Sequence, residues 1–472
     1  MFDGLPGVDA LHEVDDATVI AAIEGWARAE SAAAARRLAW IGELVRRNCE
    51  DDDDPRALWA CDLWACTVAE VGAALNVSRG RASTQMNLAE ALRTRLPKMA
   101  ELFLAGALSP RLVSVIAWRT HLVDADSEAM RLIDADIARQ ASTFGSLSEA
   151  RLEQAIDVAV QRHDPDAVVR FEVAAHDRTV EFGKPDDETG TSSMWGRLYR
   201  TDAEVLDRLL TTMARSVCDA DPRTVGQRRS DAMGAVAHRA DRLVCQCGKP
   251  DCPNTTAQPA PPVIIHVVAD QEAVNAATEK RRAPGGVLLS GGAIPTPLLG
   301  ELLGNGAKLK PLLVACDDAE PRYRPSAALQ EFVRCRDLMC RFPGCEVPAQ
   351  SCDVDHTIPY PVGPTHPSNL KCLCRNHHLL KTFWGGTGGW TDVQHPDGTV
   401  VWTSPAGRTY PTQPGSRLFF PRWDVRTDPL PGSRIIAEGS PSRGLMMPTR
   451  RRTRKAERAQ RIKAQRASND TS

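Results

Sequence analysis

The 472-residue chain is 42% hydrophobic and 25% charged, enough apolar mass for two or three domains of an ordinary soluble protein. No stretch approaches the roughly 18 uninterrupted apolar residues of a membrane span, and the acidic start "MFDGLPGVDALHEVDD" has no basic n-region. A membrane-spanning or secreted chain is therefore not expected, and the expected location is cytoplasmic.

The formal charge of -2 hides an asymmetry, with "DDDD" at residues 51–54 and "RRRTRKAERAQRIKAQR" at residues 450–466. Such a basic run is either a solvated tail or an arm that binds phosphate by releasing counterions. Of 14 cysteines, Cys49, Cys61, Cys66, Cys218 and Cys316 are scattered and read as small buried hydrophobes. Cys245, Cys247 and Cys252 form one cluster and residues 335–374 hold another. In a cytosolic chain such clusters favour metal binding over disulfides.

In chain order, residues 16–163 have the apolar spacing of helices, as in Leu88, Ala91, Leu92 and Leu96, and predict a helical domain. Within it Thr67 and Glu70 read as a capping box, Asn76-Val77 as a break, and Ser78 as the cap of a further helix. That pattern fits a helix-turn-helix presenting Arg79, Arg81, Ser83 and Gln85, but the same caps serve any helical hairpin, which is the favoured reading. The domain is also a candidate surface for homo-oligomerisation.

Residues 164–322 read as a mixed α/β domain. Short β-like runs, "AVVRFEV", "RTVEF" and "SSMWGRLY", precede a helix over "DAEVLDRLLTTMARSV" opened by Thr201 and Glu204, and another over "QRRSDAMGAVAHRADRL". "PPVIIHVVAD" is expected to be a buried strand with His266 a satisfied core histidine. The loop "CQCGKPDCPNTTAQPAPP" offers three thiols, which hold zinc only if a fourth ligand arrives, with His238 or a distant residue the donor. Free loop thiols are the equal alternative.

Residues 323–405 begin with a helix over "RPSAALQEFVRCRDLMC" and end with a hairpin in "WTDVQHPDGTVVWT", turned at Asp397-Gly398. Beyond Pro405 the chain reads as irregular, and residues 440–472 as a disordered basic tail that gains helix on a nucleic acid. The overall class is α+β.

Between these elements lies "CRFPGCEVPAQSCDVDHTIPYPVGPTHPSNLKCLCRNHHLLK". A structural zinc takes four tetrahedral ligands, commonly from two short-spaced pairs. Cys340 with Cys345, and Cys374 with His377, make such pairs; Cys352 and Cys372 are alternatives at less natural spacing. Asp355, His356, Asn369 and His378 then remain, the groups a second, reactive site needs. Phosphodiester hydrolysis requires a base, for which His356 has a suitable pKa range, and a cation, for which Asp355 and His378 supply oxygen and nitrogen. Asn369 is expected to fasten the intervening loop. Lys381 and Arg375 are either phosphate contacts or a solvated helix face.

The order Cys pair, Asp-His, Asn-Leu, Leu-Cys-x-x-His-His-x-x-Lys resembles the zinc-containing HNH endonuclease module of the ββα-metal nucleases, over residues 335–390. The resemblance implies His356 as general base, Asn369 as the central Asn, and His378 with Asp355 on a catalytic Mg²⁺ or Mn²⁺. It also implies Cys340, Cys345, Cys374 and His377 as the structural zinc set, and DNA as the partner. "RLPKMAELFLAGALSP", "QRRSDAM" and "CGKPDCP" resemble the actinobacterial thirteen-E-twelve repeat family, in which a domain of unknown function precedes an HNH module. Two departures stand out: Val362 where many relatives have a glycine, and His377 where many HNH modules have cysteine. The main alternative is a non-catalytic, zinc-stabilised nucleic-acid-binding protein; another makes the N-terminal region an interaction platform.

Overall fold

The computed structural model describes residues 5–8, 11, 14–50, 54–144, 149–167, 179–186, 190–198, 200–253, 266–281, 283, 285–304, 306–312, 318–386, 388–430 and 447–470. The chain divides into two compact units: residues 1–170, 289–291 and 302–472 form the first, and residues 171–288 and 292–301 the second.

The first unit opens with α1 (Asp16–Cys49), capped by the Asp15 carboxylate, which accepts from the Thr18 amide at 2.9 Å. Ala32, Ala35, Leu38, Ile41 and Val45 form its buried stripe. The next helix, α2 (Leu63–Leu75), starts a turn earlier than Thr67 because Asp62 accepts from the Ala65 amide at 2.8 Å. The capping box expected at Thr67 and Glu70 is therefore absent. Thr67 instead donates to the Leu63 carbonyl inside the helix, and the earlier start buries Ala65, Cys66 and Val68.

Asn76, left-handed at φ 51°, stops α2, and Ser78 occupies the N-cap position of α3 (Arg79–Thr94), although its side chain makes no capping bond. Ala82 and Met86 turn inward, and Ser83 accepts from the Trp64 indole at 3.2 Å. The four residues of the helix-turn-helix alternative thus form no common exposed face. α4 (Pro97–Leu104), α5 (Pro110–Arg119), α6 (Glu128–Phe144) and α7 (Glu149–His163) complete a bundle around Met99, Phe103, Ile116, Ile133 and Ile137.

In the second unit β1 (Val180–Asp186) pairs antiparallel with β2 (Thr191–Gly196). α8 (Arg200–Arg215) and α9 (Val225–Ala237) follow. A Thr224–Gln227 capping box opens α9, and Arg239 at φ 57° halts the helical run before "DRL". Three short strands, β3 (Val267–Val268), β4 (Gly286–Leu288) and β5 (Ala293–Ile294), form an antiparallel sheet in that order, with α10 (Gln271–Thr278) between the first two and α11 (Thr296–Gly304) after the last. Most of "AVVRFEV", the first half of "PPVIIHVVAD", and Cys316 lie outside the described residues. His266 is exposed, not a core histidine: it precedes a two-residue strand.

Back in the first unit, Ser326 caps α12 (Ala327–Asp337), and Leu338 at φ 56° ends it. β6 (Cys352–His356) and β7 (Leu370–Cys374) pair antiparallel with Asp355 opposite Lys371 and His356 opposite Leu370. α13 (Arg375–Phe383) leaves β7 without a linker. A meander of β8 (Thr391–Gln394), β9 (Val400–Thr403) and β10 (Thr409–Thr412) follows, its first turn made by Gly398 at φ 79°.

β10 and the short α14 (Ser416–Phe419) occupy a segment expected to be irregular. Residues 323–405 do not pack alone: Cys61, Ala65, Cys66, Ala69 and Ala73 share a core with Phe332, Val333, Phe342, Leu373, Trp390 and Trp402.

The expected disordered tail is corrected by α15 (Arg454–Asp470). Arg454 meets Asp62 at 2.7 Å, Arg458 meets Glu90 at 2.9 Å and Arg466 meets Asp164 at 2.8 Å, while Ile462 packs on the bundle core. Its acidic partners lie hundreds of residues away, out of reach of composition.

Candidate metal centre and the charged cluster beside it

The turn "RFPG" brings Cys340 and Cys345 together. The Cys345 amide donates to the Phe342 carbonyl at 3.1 Å, and Gly344 sits at φ 70° where a Cβ would lie 2.7 Å from the Val77 carbonyl oxygen. Only glycine fits there. From the end of β7, Cys374 and, one helical turn on, His377 face the same point. Their four ligand atoms all lie within 4.8 Å of one another.

Zn–S bonds of about 2.3 Å and Zn–N bonds of about 2.0 Å in a tetrahedron place sulfurs about 3.8 Å apart and sulfur about 3.5 Å from nitrogen. Here Cys345 Sγ is 4.0 Å from Cys374 Sγ, and His377 Nδ1 is 3.4 Å from Cys340 Sγ and 3.3 Å from Cys374 Sγ. The Cys374 amide also points at Cys340 Sγ from 3.3 Å. Phe342 stacks on the His377 ring at 4.0 Å and fixes its plane. The group could hold a structural zinc. Hydrogen bonds from the Cys340 and Cys345 thiols hold Cys374 far below the ordinary thiol range. The alternative thiols take other roles: Cys352 faces the Pro348 carbonyl, and Cys372 is buried beside α12.

Sequence reasoning missed the frame behind this centre. Asp337, fully buried, meets Arg336 at 2.8 Å and Arg341 at 3.0 Å and accepts from the Cys372 amide at 2.8 Å. Burial alone would raise its pKa, yet the two guanidiniums hold it below the usual carboxylate range. Arg341, next to Cys340, also donates to the Thr412 carbonyl, so this cluster ties α12, β7 and β10 around Cys340 and Cys345.

On the same two strands and helix lies a cluster of charged side chains. His378 Nε2 stands 3.4 Å from Asp355 Oδ1, and its Nδ1 bonds Asp353 Oδ2 at 2.8 Å. The proximity of Asp355 raises the His378 pKa. Lys381 Nζ is 2.6 Å from Asp355 Oδ2 and also donates to the His356 carbonyl. Lys371, fully buried, reaches Asp392 at 2.6 Å, the Thr357 hydroxyl at 2.9 Å and Asp355 at 3.5 Å. Burial would raise the Asp355 pKa, but Lys381 and Lys371 hold it far below normal.

His356 ends β6, and burial pushes its pKa down. Its Nε2 is 2.8 Å from Thr365 Oγ1, whose single proton goes to the Arg322 carbonyl. Nε2–H is therefore the donor to Thr365, and the Nδ1 lone pair of neutral His356 is left for a proton. Tyr323 stacks on the ring at 5.5 Å. Asn369, fully buried, donates to the Ile358 and Pro364 carbonyls and accepts from the Ile358 amide at 2.8 Å, fastening the loop as its residue type suggests. Thr365, Tyr323, Asp353, Lys371 and Asp392 were not legible as neighbours of Asp355, His356 and His378, since no short spacing marks them. Arg375 is mostly exposed, 3.5 Å from Asp353.

Cys218, Cys245, Cys247 and Cys252 form a second group whose sulfurs lie within 4.8 Å of one another and could hold a metal. Cys218 is thus not a scattered packing thiol, and it, rather than His238, stands where a fourth donor was sought.

A family model described as Domain of unknown function (DUF222) matches residues 26–337, and the chain belongs to that family. The Cys340, Cys345, Cys374 and His377 group and the Asp355, His356 and His378 cluster lie beyond the matched residues, although Tyr323, which stacks on His356, lies within them. Two uncharacterized Mycobacterium tuberculosis proteins are similar over nearly the whole chain. Rv2100 is 51% identical over 507 residues, spanning 100% of this chain and 91% of the relative. Rv3776 is 52% identical over 478 residues, spanning 97% and 91%. No solved structure matches. Among the described residues no helix is long and apolar enough to cross a membrane.

Proposed function

We propose that the chain is a metal-dependent endonuclease of the HNH type, hydrolysing phosphodiester bonds in DNA. One observation carries the reading: on a strand–strand–helix unit held beside a Cys₃His cluster, Asp355 and His378 come within 3.4 Å of each other next to a histidine whose tautomer leaves Nδ1 as a base.

Asp355 and His378 are a hard oxygen and a borderline nitrogen, a donor pair suited to Mg²⁺ or Mn²⁺. The bond from Nδ1 to Asp353 leaves Nε2 of His378 as the ligand atom, the usual arrangement behind a metal-binding imidazole. When bound, the cation would neutralise charge on the phosphate and the departing oxygen. His356 takes a proton from water at Nδ1, with Thr365 and Tyr323 keeping the ring in place. Asn369 holds the loop 358–364 against the end of β6. Arg375, mostly exposed on the first turn of α13 and 3.5 Å from Asp353, is the proposed contact for a DNA phosphate.

A second reading has its own support. Lys381 Nζ stands 2.6 Å from Asp355, so an ammonium could take the cation's place in a zinc-stabilised module that grips DNA without cutting it. Nicking of supercoiled plasmid with Mg²⁺ or Mn²⁺, measured together with DNA retention, separates the two. The nuclease reading expects cation-dependent nicking that falls by at least about 10²-fold in His356→Ala. Retention of DNA with no nicking by either protein would establish the second reading, and equal nicking by both would remove His356 as the base.

A further inference from the structure

We infer that Cys218, Cys245, Cys247 and Cys252 hold a zinc ion of their own, a tetrathiolate that closes the α8–α9 lobe of the second unit. This rests on no nuclease activity and on none of the residues of the first centre.

The four thiols come from two places. Cys218 lies just past the end of α8, in a turn where the Asp221 amide donates to the Cys218 carbonyl at 3.0 Å. The other three come from "CQCGKPDC", which folds back through Gly248 at φ 70° and a bond from the Cys252 amide to the Lys249 carbonyl at 3.2 Å. A polar frame holds the two segments in register without any help from sulfur. Asp221, whose side chain is fully buried, accepts from the Gln246 amide at 2.9 Å and from the Arg223 guanidinium at 2.8 Å, and Arg223 donates onward to the Val244 carbonyl at 2.7 Å. That frame puts Cys245 and Cys247 opposite Cys218.

The resulting distances suit a metal better than a covalent link. Cys218 Sγ and Cys245 Sγ are 3.6 Å apart, close to the ~3.8 Å edge of a ZnS₄ tetrahedron and far from the ~2.05 Å of a disulfide. All four sulfurs lie within 4.8 Å of one another, and all four belong to a soft-ligand set that selects zinc over magnesium or calcium.

The lobe also has reason to need an ion. Its buried cluster is Leu210, Met213, Val217, Ala232 and Leu243, completed by Cys245 and Cys252 themselves. So small a core leaves the loop to be fixed by other means, and metal binding then becomes folding free energy.

Metal analysis of the full chain, purified under reducing conditions, tests this directly. Wild type is expected to carry about two zinc ions per chain, Cys218→Ser and Cys247→Ser about one, and Cys340→Ser about one from the other centre. Zinc near one equivalent in wild type, unchanged by Cys218→Ser, would overturn the assignment. So would mass mapping that finds Cys218 in a disulfide. Because a serine variant could lose metal by unfolding, Cys218→His provides a second reading in the cobalt-substituted chain. Retained metal with the visible bands moved to shorter wavelength, as nitrogen replaces sulfur, is expected; retained metal with an unchanged spectrum would show that Cys218 is no ligand.

Discussion

Replacing Asp337 by asparagine keeps the side chain's shape and removes its charge. The carboxylate and its partners Arg336 and Arg341 are all at most 1% exposed. Two guanidiniums would therefore be left in the interior without a counter-ion, a loss that costs roughly 3–5 kcal/mol when one partner of a buried ion pair is removed. For a unit of this size that is about 1.4 °C per kcal/mol, a fall in melting temperature of ~4–7 °C. Urea unfolding followed by tryptophan fluorescence is the suitable assay, because Trp390 and Trp402 are buried in the core beside Arg341. The depressed Asp337 pKa gives the sign of the pH dependence. Its contribution is present above the unfolded carboxylate value of about 4 and is lost as pH falls through the folded value. A loss below about 1 kcal/mol for Asp337→Asn would refute the view that this cluster is a charge-compensated frame.

Two further outcomes are expected. Asn369→Ala removes three hydrogen bonds around residues 358–364, and should cost about 2–3 kcal/mol and speed amide exchange at Ile358; exchange at the wild-type rate would contradict its fastening role. Asp136 is held below the ordinary carboxylate range by the hydrogen bond from His163, supported by Arg139 and Arg162. The α6–α7 pairing should therefore be fully supported above about pH 4 and weaken below it, and Asp136→Asn should flatten the acid limb of a melting-temperature profile. An unchanged limb would place the acid sensitivity elsewhere.

Legibility followed sequence distance. Cys340 with Cys345 and Cys374 with His377 are close in the chain and chemically distinctive, so the cluster could be read from spacing, as could the Asp397-Gly398 hairpin. Cys218 lies 27 residues from Cys245 and looked like any buried thiol. Thr365 and Tyr323 have generic chemistry and acquire meaning only when the loop folds over His356. The start of α2 was misread because Thr67 and Glu70 match a capping pattern that burial of Ala65, Cys66 and Val68 overrides. The helix at residues 454–470 was hidden for a related reason: its charge and polarity suggested solvent, while its partners are Asp62 and Asp164 at the ends of distant helices and Glu90 on α3.

The most direct test uses two neighbours on α13. His377 faces the thiols and His378 faces Asp355, so zinc content and plasmid nicking should separate in their alanine variants. His377→Ala is expected to lose the zinc of the Cys₃His centre. His378→Ala is expected to keep that zinc and lose nicking. If His378→Ala nicks DNA at the wild-type rate with its zinc intact, the Asp355–His378 cluster is not the reactive site.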